Sequence, residues 1–336
     1  MSDLERLAGS VIVAGVAGDA AKPETLAALR ELSPGGLVLF DRNVSTVDGT
    51  RALVAAMRDA IGGDAPALVC VDQEGGRVAR LRFRDPGIPA MMGLGAAGEP
   101  SLADRAGAAL ALDLLAVGAN VDFAPVLDLA LEPRGTVIGT RSFGDDPHRT
   151  AELGTAFIAG MQARGVVATA KHFPGHGATA LDSHLELPVI GAPAELLYAR
   201  DLVPFAAAIA AGVRAVMTAH VLVRSLDARN PASLSARVTT GLLREELGFA
   251  GVCFTDCLQM DAIAAGRGTV SGGVAALAAG ADALVISRDL AVARELRDAI
   301  VAAVRSGDVP LARLQEASHR VTQLRSSLAS GVANAT

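Results

Sequence analysis

The chain has 336 residues, 51% of them hydrophobic, and a formal net charge of −6 at pH 7. This length allows one large domain or two of ordinary size. The positive charges are spread along the chain without a run of Lys or Arg, which argues against nucleic acid or an anionic membrane as a partner. No stretch reaches the roughly 18 consecutive apolar residues that a transmembrane helix needs.

The amino terminus and the cysteines both favour a cytoplasmic protein. The segment MSDLERLAGSVIVAG is acidic where a signal peptide would be basic, and its apolar run is short. Cys70, Cys253 and Cys257 are odd in number and lie in or beside apolar runs, which predicts buried, reduced thiols.

Taken in chain order, short apolar runs alternate with amphipathic stretches. The predicted strands are Val11–Gly15, Leu37–Phe40, Ala67–Asp72, Val121–Val126, Val166–Lys171, Arg214–Ala219, Val252–Asp256 and Ala283–Ser287. The predicted helices are Thr46–Ile61, Ser101–Val117, Pro147–Ala163, Leu196–Ala211, Ser235–Leu247 and Leu290–Val304. Ser101 fits an N-cap, Pro147 a first helical position and Gly248 a helix end. Strands that are apolar throughout are typical of a parallel sheet buried on both faces.

Eight strand–helix alternations favour a closed (β/α)8 TIM barrel over an open doubly wound sheet. Polar residues directly follow several of the apolar runs, at the face where such barrels build active sites. These residues are Asp72, Lys171, His172, His220 and Asp256. No linker divides the chain, so we predict a single domain over residues 1–336, with a closing helix at Leu311–Leu328 and a frayed tail at 329–336.

The densest polar cluster is KHFPGHG at 171–177, which continues through a loop to Asp182, Ser183 and His184. Three histidines within thirteen residues, together with a lysine and an aspartate, favour a functional site over separate core histidines. Residues two apart in an extended loop point the same way, so the Asp182 carboxylate can orient the His184 imidazole. Such a pair keeps the ring able to donate a proton near neutral pH, as a general acid must.

Other motifs leave alternatives open. Asp256 fits either a functional carboxylate or the N-cap of a helix over Cys257–Ala265. In DQEGGRV at 72–78, Asp72 fits a hydroxyl-binding carboxylate and Glu74 fits equally well a structural ion pair. Arg141 fits a bidentate ligand or a loop salt bridge. The segment GLGAAG at 93–98 matches the dinucleotide-binding pattern, but no strand precedes it, so we interpret it as a loop.

Together these segments resemble the glycoside hydrolase family 3 β-N-acetylglucosaminidases. The resemblance is carried by DQEGGRV at 72–78, GTRSFGDDP at 139–147, KHFPGHG with the following DSH at 171–184, MTAHV at 217–221 and SLSARVTTGLLREELGFAGVCFTDCLQM at 233–260. It implies Asp256 as nucleophile, His184 as acid/base and Asp182 as its orienting partner. It also implies that Asp72, Arg141, Lys171 and His172 hydrogen-bond the sugar hydroxyls, with His220 close to the same pocket.

The implied activity is a retaining cleavage that releases terminal N-acetylglucosamine from small peptidoglycan fragments, N-acetylglucosamine–1,6-anhydro-N-acetylmuramic acid and its peptides. The chain has no Trp and one Tyr, which favours a small carbohydrate over a polymer gripped by aromatic platforms. No metal or other cofactor is implied, and we expect a monomer. Cys257 and Gln259 depart from the residues commonest after the nucleophile, so the leaving group is less firmly implied than the sugar.

Four alternative functions stay open at this point. Because a neutral histidine base repels an anion less than a carboxylate does, phosphate could replace water and make the enzyme a phosphorylase. A β-glucosidase of the same family is the nearest change of sugar. Outside glycosidases, the alternatives are a barrel hydrolase with a zinc ion held by His172, His176, His184 and Asp256, and a sugar-binding barrel without catalysis.

Overall fold

A computed structural model describes residues 1–132, 137–179 and 187–333 of the chain. Eight parallel strands, each overlapping one of the predicted strands, form a single sheet. They are β1 Ile12–Gly15, β2 Gly36–Leu39, β3 Leu68–Val71, β4 Val121–Asp122, β5 Val167–Phe173, β6 Ala215–Thr218, β7 Val252–Thr255 and β8 Leu284–Ile286.

The strands are hydrogen-bonded to one another in chain order from β1 to β7, and β8 pairs with β1. A parallel bridge between Phe254 of β7 and Ala283, which directly precedes β8, joins the two remaining edges. The sheet is therefore a nearly closed barrel, and the predicted TIM-barrel fold is confirmed.

Successive residues of each strand pack against different layers, because strand side chains alternate between the two faces of a sheet. In β3, Leu68 and Cys70 join the cluster inside the barrel, whereas Val69 and Val71 join the cluster beneath the surrounding helices. Both faces are buried, which explains why most strand positions are apolar.

Helices cover the outside of the barrel. The α-helices are α1 Asp3–Ser10, α2 Pro23–Leu32, α3 Val47–Ile61, α4 Met91–Ala97, α5 Pro100–Ala116, α6 Pro147–Gln162, α7 Ala194–Leu196, α8 Val203–Ala210, α9 Asp261–Ala264, α10 Thr269–Ala279, α11 Leu290–Ser306 and α12 Leu311–Ala333. Two segments have π-helical hydrogen bonding, Leu197–Asp201 and Arg237–Glu246. Two short strand pairs lie outside the barrel, Gln73–Gly75 with Val78–Ala79 and Val189–Ile190 with Leu222–Val223.

Helix boundaries test three sequence predictions. Pro147 is the first residue of α6, as predicted, and the Asp146 carboxylate caps that helix by accepting from two backbone N–H groups. Gly248 follows the end of its helix with a φ of +69°, also as predicted. The N-cap prediction for Ser101 is wrong, because Pro100 already occupies the first helical position.

The segment GLGAAG is helical rather than a loop, so that interpretation is wrong. Its first five residues lie within α4 and Gly98 caps the end of that helix, and a side chain at Gly95 would come within 1.6 Å of the Phe143 carbonyl oxygen. Glycine therefore lets this helix touch the backbone of the segment that carries Arg141.

The predicted closing helix is α12, and it covers the amino-terminal end of the barrel. Val321, Leu324 and Leu328 belong to the cluster inside the barrel. The Arg325 guanidinium donates to the carbonyl oxygens of residues 65 and 66, just before β3. The helix continues to Ala333, five residues beyond the predicted end, where a frayed tail was expected.

A buried charge cluster also ties α12 to the barrel, and we call it the base cluster: Asp282, Arg244, Arg313 and Arg320. The Asp282 carboxylate is fully buried and forms ion pairs with all three arginines. Its Oδ2 also accepts from the backbone N–H of Cys253 at 3.0 Å.

None of the helices in the described residues has the length and hydrophobicity of a membrane-spanning segment.

Candidate active site

The carboxyl ends of the strands and their loops enclose a cavity of about 470 Å³. This volume is within the range of small-molecule sites. Five of the residues predicted to act in catalysis or to bind the sugar line it, namely Asp72, Arg141, Lys171, His172 and Asp256. The structure thus brings together side chains that are up to 184 positions apart in the chain.

A buried ionic cluster, the mouth cluster, forms one part of the wall: Asp72, Glu74, Arg141 and Lys171. The Lys171 ammonium lies 2.7 Å from Asp72 Oδ1 and 2.7 Å from Glu74 Oε1. The Arg141 guanidinium binds Glu74 through both of its oxygens, at 2.8 and 2.7 Å. Glu74 thus forms the ion pair that the sequence suggested, and it fixes the orientation of both cations.

The mouth cluster shifts the ionisation of its members. Burial opposes the charged form of Glu74, but Lys171 and Arg141 outweigh it and lower the pKa of that carboxyl to about 2. Burial likewise opposes the charge of Lys171, but Asp72 and Glu74 raise its pKa above the ordinary value. Glu74 and Lys171 therefore carry charge at neutral pH, and Lys171, which lines the cavity, presents an ionic hydrogen-bond donor to it.

Asp256 directly follows β7 and is half-buried on the cavity wall. Its Oδ1 accepts from the backbone N–H of Cys257 at 2.6 Å. Because α9 starts only at Asp261, the alternative of an N-cap for Cys257–Ala265 is wrong. Burial opposes ionisation of Asp256, but the hydrogen bond from the Cys257 backbone N–H and the nearby Lys171 ammonium contribute to lowering its pKa below the ordinary value. The carboxylate is therefore available as an anion at neutral pH.

His172 and His176 are both held by a buried carboxylate, that of Asp128. His172 Nδ1 lies 2.6 Å from Asp128 Oδ2, and the backbone N–H of His176 donates to Asp128 Oδ1 at 2.7 Å. The other side of the His172 ring faces Arg141, with 3.5 Å between Nε2 and Nη2. His176 also lines the cavity, and its Nδ1 lies 2.7 Å from the Thr179 hydroxyl.

His220 has a different environment from the other candidates. It is fully buried and is not part of the cavity lining. Its Nδ1 lies 2.7 Å from the Ser233 hydroxyl, and its Nε2 lies 3.0 Å from the Cys257 carbonyl oxygen. Burial lowers the pKa of His220, which favours the neutral ring. Both nitrogens thus contact protein groups, one of them on the residue that directly follows Asp256.

Asp182 and His184 lie outside the described residues, so their predicted roles stay predictions. The structure does show where the loop that leads to them departs. A side chain at Gly177 would come within 1.8 Å of the Leu129 carbonyl oxygen, so this glycine lets the loop pass close against the segment after β4.

The sequence interpretation missed several residues of the site. Asp128 follows the predicted strand Val121–Val126, so the rule that identified Asp72 and Asp256 would also have identified it. Arg42 and Arg288 also line the cavity, from the loops after β2 and β8. The prediction of buried thiols holds for Cys70 and Cys253 but is wrong for Cys257, which is only half-buried and lines the cavity.

Sequence comparisons identify relatives of the chain. The family model of the glycosyl hydrolase family 3 N-terminal domain matches residues 6–324. A β-hexosaminidase from Xylella fastidiosa is 41% identical over 82% of this chain and 83% of its own length. A β-hexosaminidase from Pseudomonas aeruginosa is 43% identical over 85% of this chain and 84% of its own length.

Two solved structures of related enzymes are also similar to this chain. A glycoside hydrolase family 3 β-N-acetylglucosaminidase from Paenibacillus matches with a TM-score of 0.95 and 40% identity, over 98% of this chain but only 63% of its own. A β-N-acetylhexosaminidase from Beutenbergia cavernae matches with a TM-score of 0.89 and 31% identity, over 97% of this chain and 99% of its own. This chain thus spans less than two thirds of the Paenibacillus protein. The resemblance seen in the motifs is confirmed: the chain is a glycoside hydrolase and belongs to glycosyl hydrolase family 3.

Proposed function

We propose that the chain is a retaining exo-β-N-acetylglucosaminidase. The observation that carries this proposal is the ionised carboxylate of Asp256 on the wall of a small cavity lined by Lys171, Arg141 and His172. Lysine and arginine can donate hydrogen bonds to sugar hydroxyls, and the carboxylate of Asp72 can accept them. The name of the Paenibacillus structure, a β-N-acetylglucosaminidase, supports N-acetylglucosamine as the sugar.

In the proposed reaction, Asp256 attacks the anomeric carbon and forms a glycosyl ester, while the bond to the leaving oxygen breaks. His184, oriented by Asp182, gives its proton to that oxygen. Water then loses a proton to the neutral His184 and attacks the anomeric carbon, which releases Asp256. Two inversions leave the β-configuration unchanged.

We further propose that the leaving group is anionic, as in N-acetylglucosamine–1,6-anhydro-N-acetylmuramic acid and its peptides, and that the enzyme acts in cytoplasmic peptidoglycan recycling. Two arginines support an anion. Arg42 donates to the carbonyl oxygens of Val16 and Ser287, and its guanidinium lies 4.7 Å from the centre of the Phe40 ring. Neither Arg42 nor Arg288 forms an ion pair with a carboxylate in the described part of the chain, although both line the cavity.

Asp256→Ala tests the nucleophile. We expect turnover of p-nitrophenyl N-acetyl-β-glucosaminide to fall at least about 10³-fold, because both chemical steps need this carboxylate. Added azide, which fits the space left by the side chain, should restore p-nitrophenol release and give a glycosyl azide of inverted configuration.

Asp261→Ala is the matched control, since Asp261 is another carboxylate on the same cavity wall. It should keep its activity within about threefold, as expected for a surface substitution. Wild-type turnover in Asp256→Ala, or rescue that gives the β-azide, would remove Asp256 as nucleophile. Faster hydrolysis of p-nitrophenyl β-glucoside by the wild type would instead overturn the choice of sugar.

Arg288→Ala tests the anionic leaving group. We expect kcat/KM to fall about fivefold for the anhydro-muramic disaccharide and to stay unchanged for the neutral aryl glycoside, because one exposed charge pair contributes about 1 kcal/mol. Arg267→Ala removes an exposed arginine outside the cavity lining and serves as control. Equal losses on both substrates would contradict the proposal. Product analysis with added phosphate, which distinguishes N-acetylglucosamine from its 1-phosphate, identifies the acceptor.

A further inference from the structure

Within the described residues, the buried carboxylate of Asp128 makes its hydrogen bonds to one segment, the end of β5 and the turn that follows it. Its side chain is fully buried. It accepts from the backbone N–H of His172 at 3.2 Å, from the backbone N–H of His176 at 2.7 Å and from the His172 ring at Nδ1, 2.6 Å away. Asp128 thus holds both the backbone and the ring of a residue that lines the cavity.

The ionisation of Asp128 decides which ring nitrogen of His172 carries a proton. Burial opposes the charged form, but His172 and His176 outweigh it and lower the pKa of Asp128 below the ordinary value. An ionised carboxylate only accepts hydrogen bonds, so Nδ1 must be the protonated nitrogen.

The other ring nitrogen, Nε2, faces a donor. Arg141 Nη2 lies 3.5 Å away, and Glu74 holds that guanidinium in place through two hydrogen bonds. A second proton on Nε2 would point towards these N–H groups, so the neutral ring with a lone pair at Nε2 fits this environment better.

From this geometry we propose that Asp128 is a positioning residue for sugar recognition: it holds His172 as the Nδ1–H tautomer, so that Nε2 accepts a hydrogen bond from a sugar hydroxyl. The inference rests on the proposed function in one respect, since it takes the cavity to be the place where the sugar binds. Asp128 itself does not line the cavity and acts only through His172.

Replacing Asp128 by Asn changes the donors and acceptors without changing the shape. Three N–H groups point at the carboxylate of Asp128, and an amide offers one oxygen and an NH2 group instead. The NH2 group of the asparagine and the Nδ1–H group of His172 would then face each other as two donors. This is avoided if the ring proton moves from Nδ1 to Nε2, so that the amide donates to Nδ1. Nε2 then becomes a donor and can no longer accept from a hydroxyl.

Asp122→Asn is the matched control, because Asp122 is a second buried carboxyl on the neighbouring part of β4. Its Oδ1 accepts from the backbone N–H of Gln73 at 2.9 Å, and its Oδ2 has no hydrogen-bond partner in the described part of the chain. Burial raises the pKa of Asp122 well above the ordinary value, so an amide resembles its neutral form.

The experiment measures the ¹⁵N shifts of the His172 ring, assigned with His172→Gln, and the affinity for N-acetylglucosamine by calorimetry. We expect Nδ1–H in the wild type and in Asp122→Asn, and Nε2–H in Asp128→Asn. Affinity should fall about tenfold in Asp128→Asn, because a hydrogen bond to the sugar is lost, and should stay within about twofold in Asp122→Asn. The pH profile of kcat/KM should change only in Asp128→Asn.

Several outcomes would overturn the inference. These are an Nε2–H ring in the wild type, an unchanged tautomer or affinity in Asp128→Asn, or equal losses in the two variants. If Asp128→Asn does not fold, the wild-type tautomer alone decides. Neither the ring shifts nor the affinity requires turnover, so they remain informative if the assignment of Asp256 as nucleophile fails. Conversely, azide could rescue Asp256→Ala while the His172 tautomer stays unchanged in Asp128→Asn. That result would contradict the role of Asp128 and leave the proposed function intact.

Discussion

The barrel has a buried charge cluster at each end, and the two differ in composition and in what surrounds them. The mouth cluster combines two carboxylates with two cations, and the Asp72 side chain keeps 19% of its surface exposed. The base cluster surrounds a single carboxylate, Asp282, which is completely buried, with three arginines. Two of those arginines, Arg313 and Arg320, belong to α12.

This difference indicates that buried ion pairs serve two purposes in the molecule, stability at the base and ligand binding at the mouth. In both clusters, short ionic hydrogen bonds offset the free-energy cost of taking charges out of water. At the base, the partners come from α12 and from the barrel, so the bonds hold the last helix in place. At the mouth, the charges line a cavity, so they remain available to a polar ligand. We therefore expect substitutions at the base to change stability and substitutions at the mouth to change catalysis as well.

The largest effect on stability is expected for Asp282→Asn. The change leaves three buried or half-buried guanidinium groups without their anion, and removing one partner of a buried pair typically costs about 3–5 kcal/mol. Urea denaturation at pH 7 measures the loss. Because α12 lies at the opposite end of the barrel from the cavity, kcat of the folded variant should stay within about twofold of the wild type.

Asp298→Asn provides the control for this prediction. Asp298 pairs with Arg297 at 2.8 Å but is 63% exposed, so its loss should cost less than about 1 kcal/mol. A fall in kcat with unchanged stability in Asp282→Asn would contradict the division of roles between the two clusters.

The fold was largely predictable because the sequence pattern records it directly. Most barrel strands are runs of apolar residues buried on both faces, and Pro147 and Gly248 mark helix boundaries by their own backbone preferences. The pattern does not record contacts between distant backbones. Local preference alone suggested a loop at 93–98, but residues 93–97 are helical, and Gly95 lets this helix approach Phe143, which is remote in sequence.

The site was predictable only in part, for a related reason. The sequence shows which residues follow a strand, but not which way their side chains point. Asp256 faces the cavity, whereas His220 turns towards Ser233 and the Cys257 carbonyl. The role of Glu74 likewise depends on Arg141, 67 positions later, and no spacing rule specifies that partner.

Lowering the pH should reduce the free energy of unfolding by protonating Glu74 of the mouth cluster. The reduction should be smaller than the one caused by Asp282→Asn. The pKa of Glu74 is held at about 2 instead of its ordinary 4.5, which corresponds to at most about 3 kcal/mol of stabilisation at neutral pH. Because the folded-state pKa is the lower one, the unfolded chain takes up the proton first. This contribution is therefore complete above about pH 4.5 and is lost as the pH falls towards 2.

Glu74→Gln isolates this contribution from that of the other carboxyls. We expect the difference in the free energy of unfolding between the wild type and Glu74→Gln to be constant from pH 7 to about pH 5 and to shrink steadily below pH 4.5. Urea denaturation at half-unit pH intervals measures it, and Asp298→Asn, with its exposed ion pair, should show almost no pH dependence in the same range. A difference that stays constant down to pH 2.5 would mean that Lys171 and Arg141 do not hold Glu74 in its ionised form. In that case the mouth cluster would not be the charged counterpart of the base cluster.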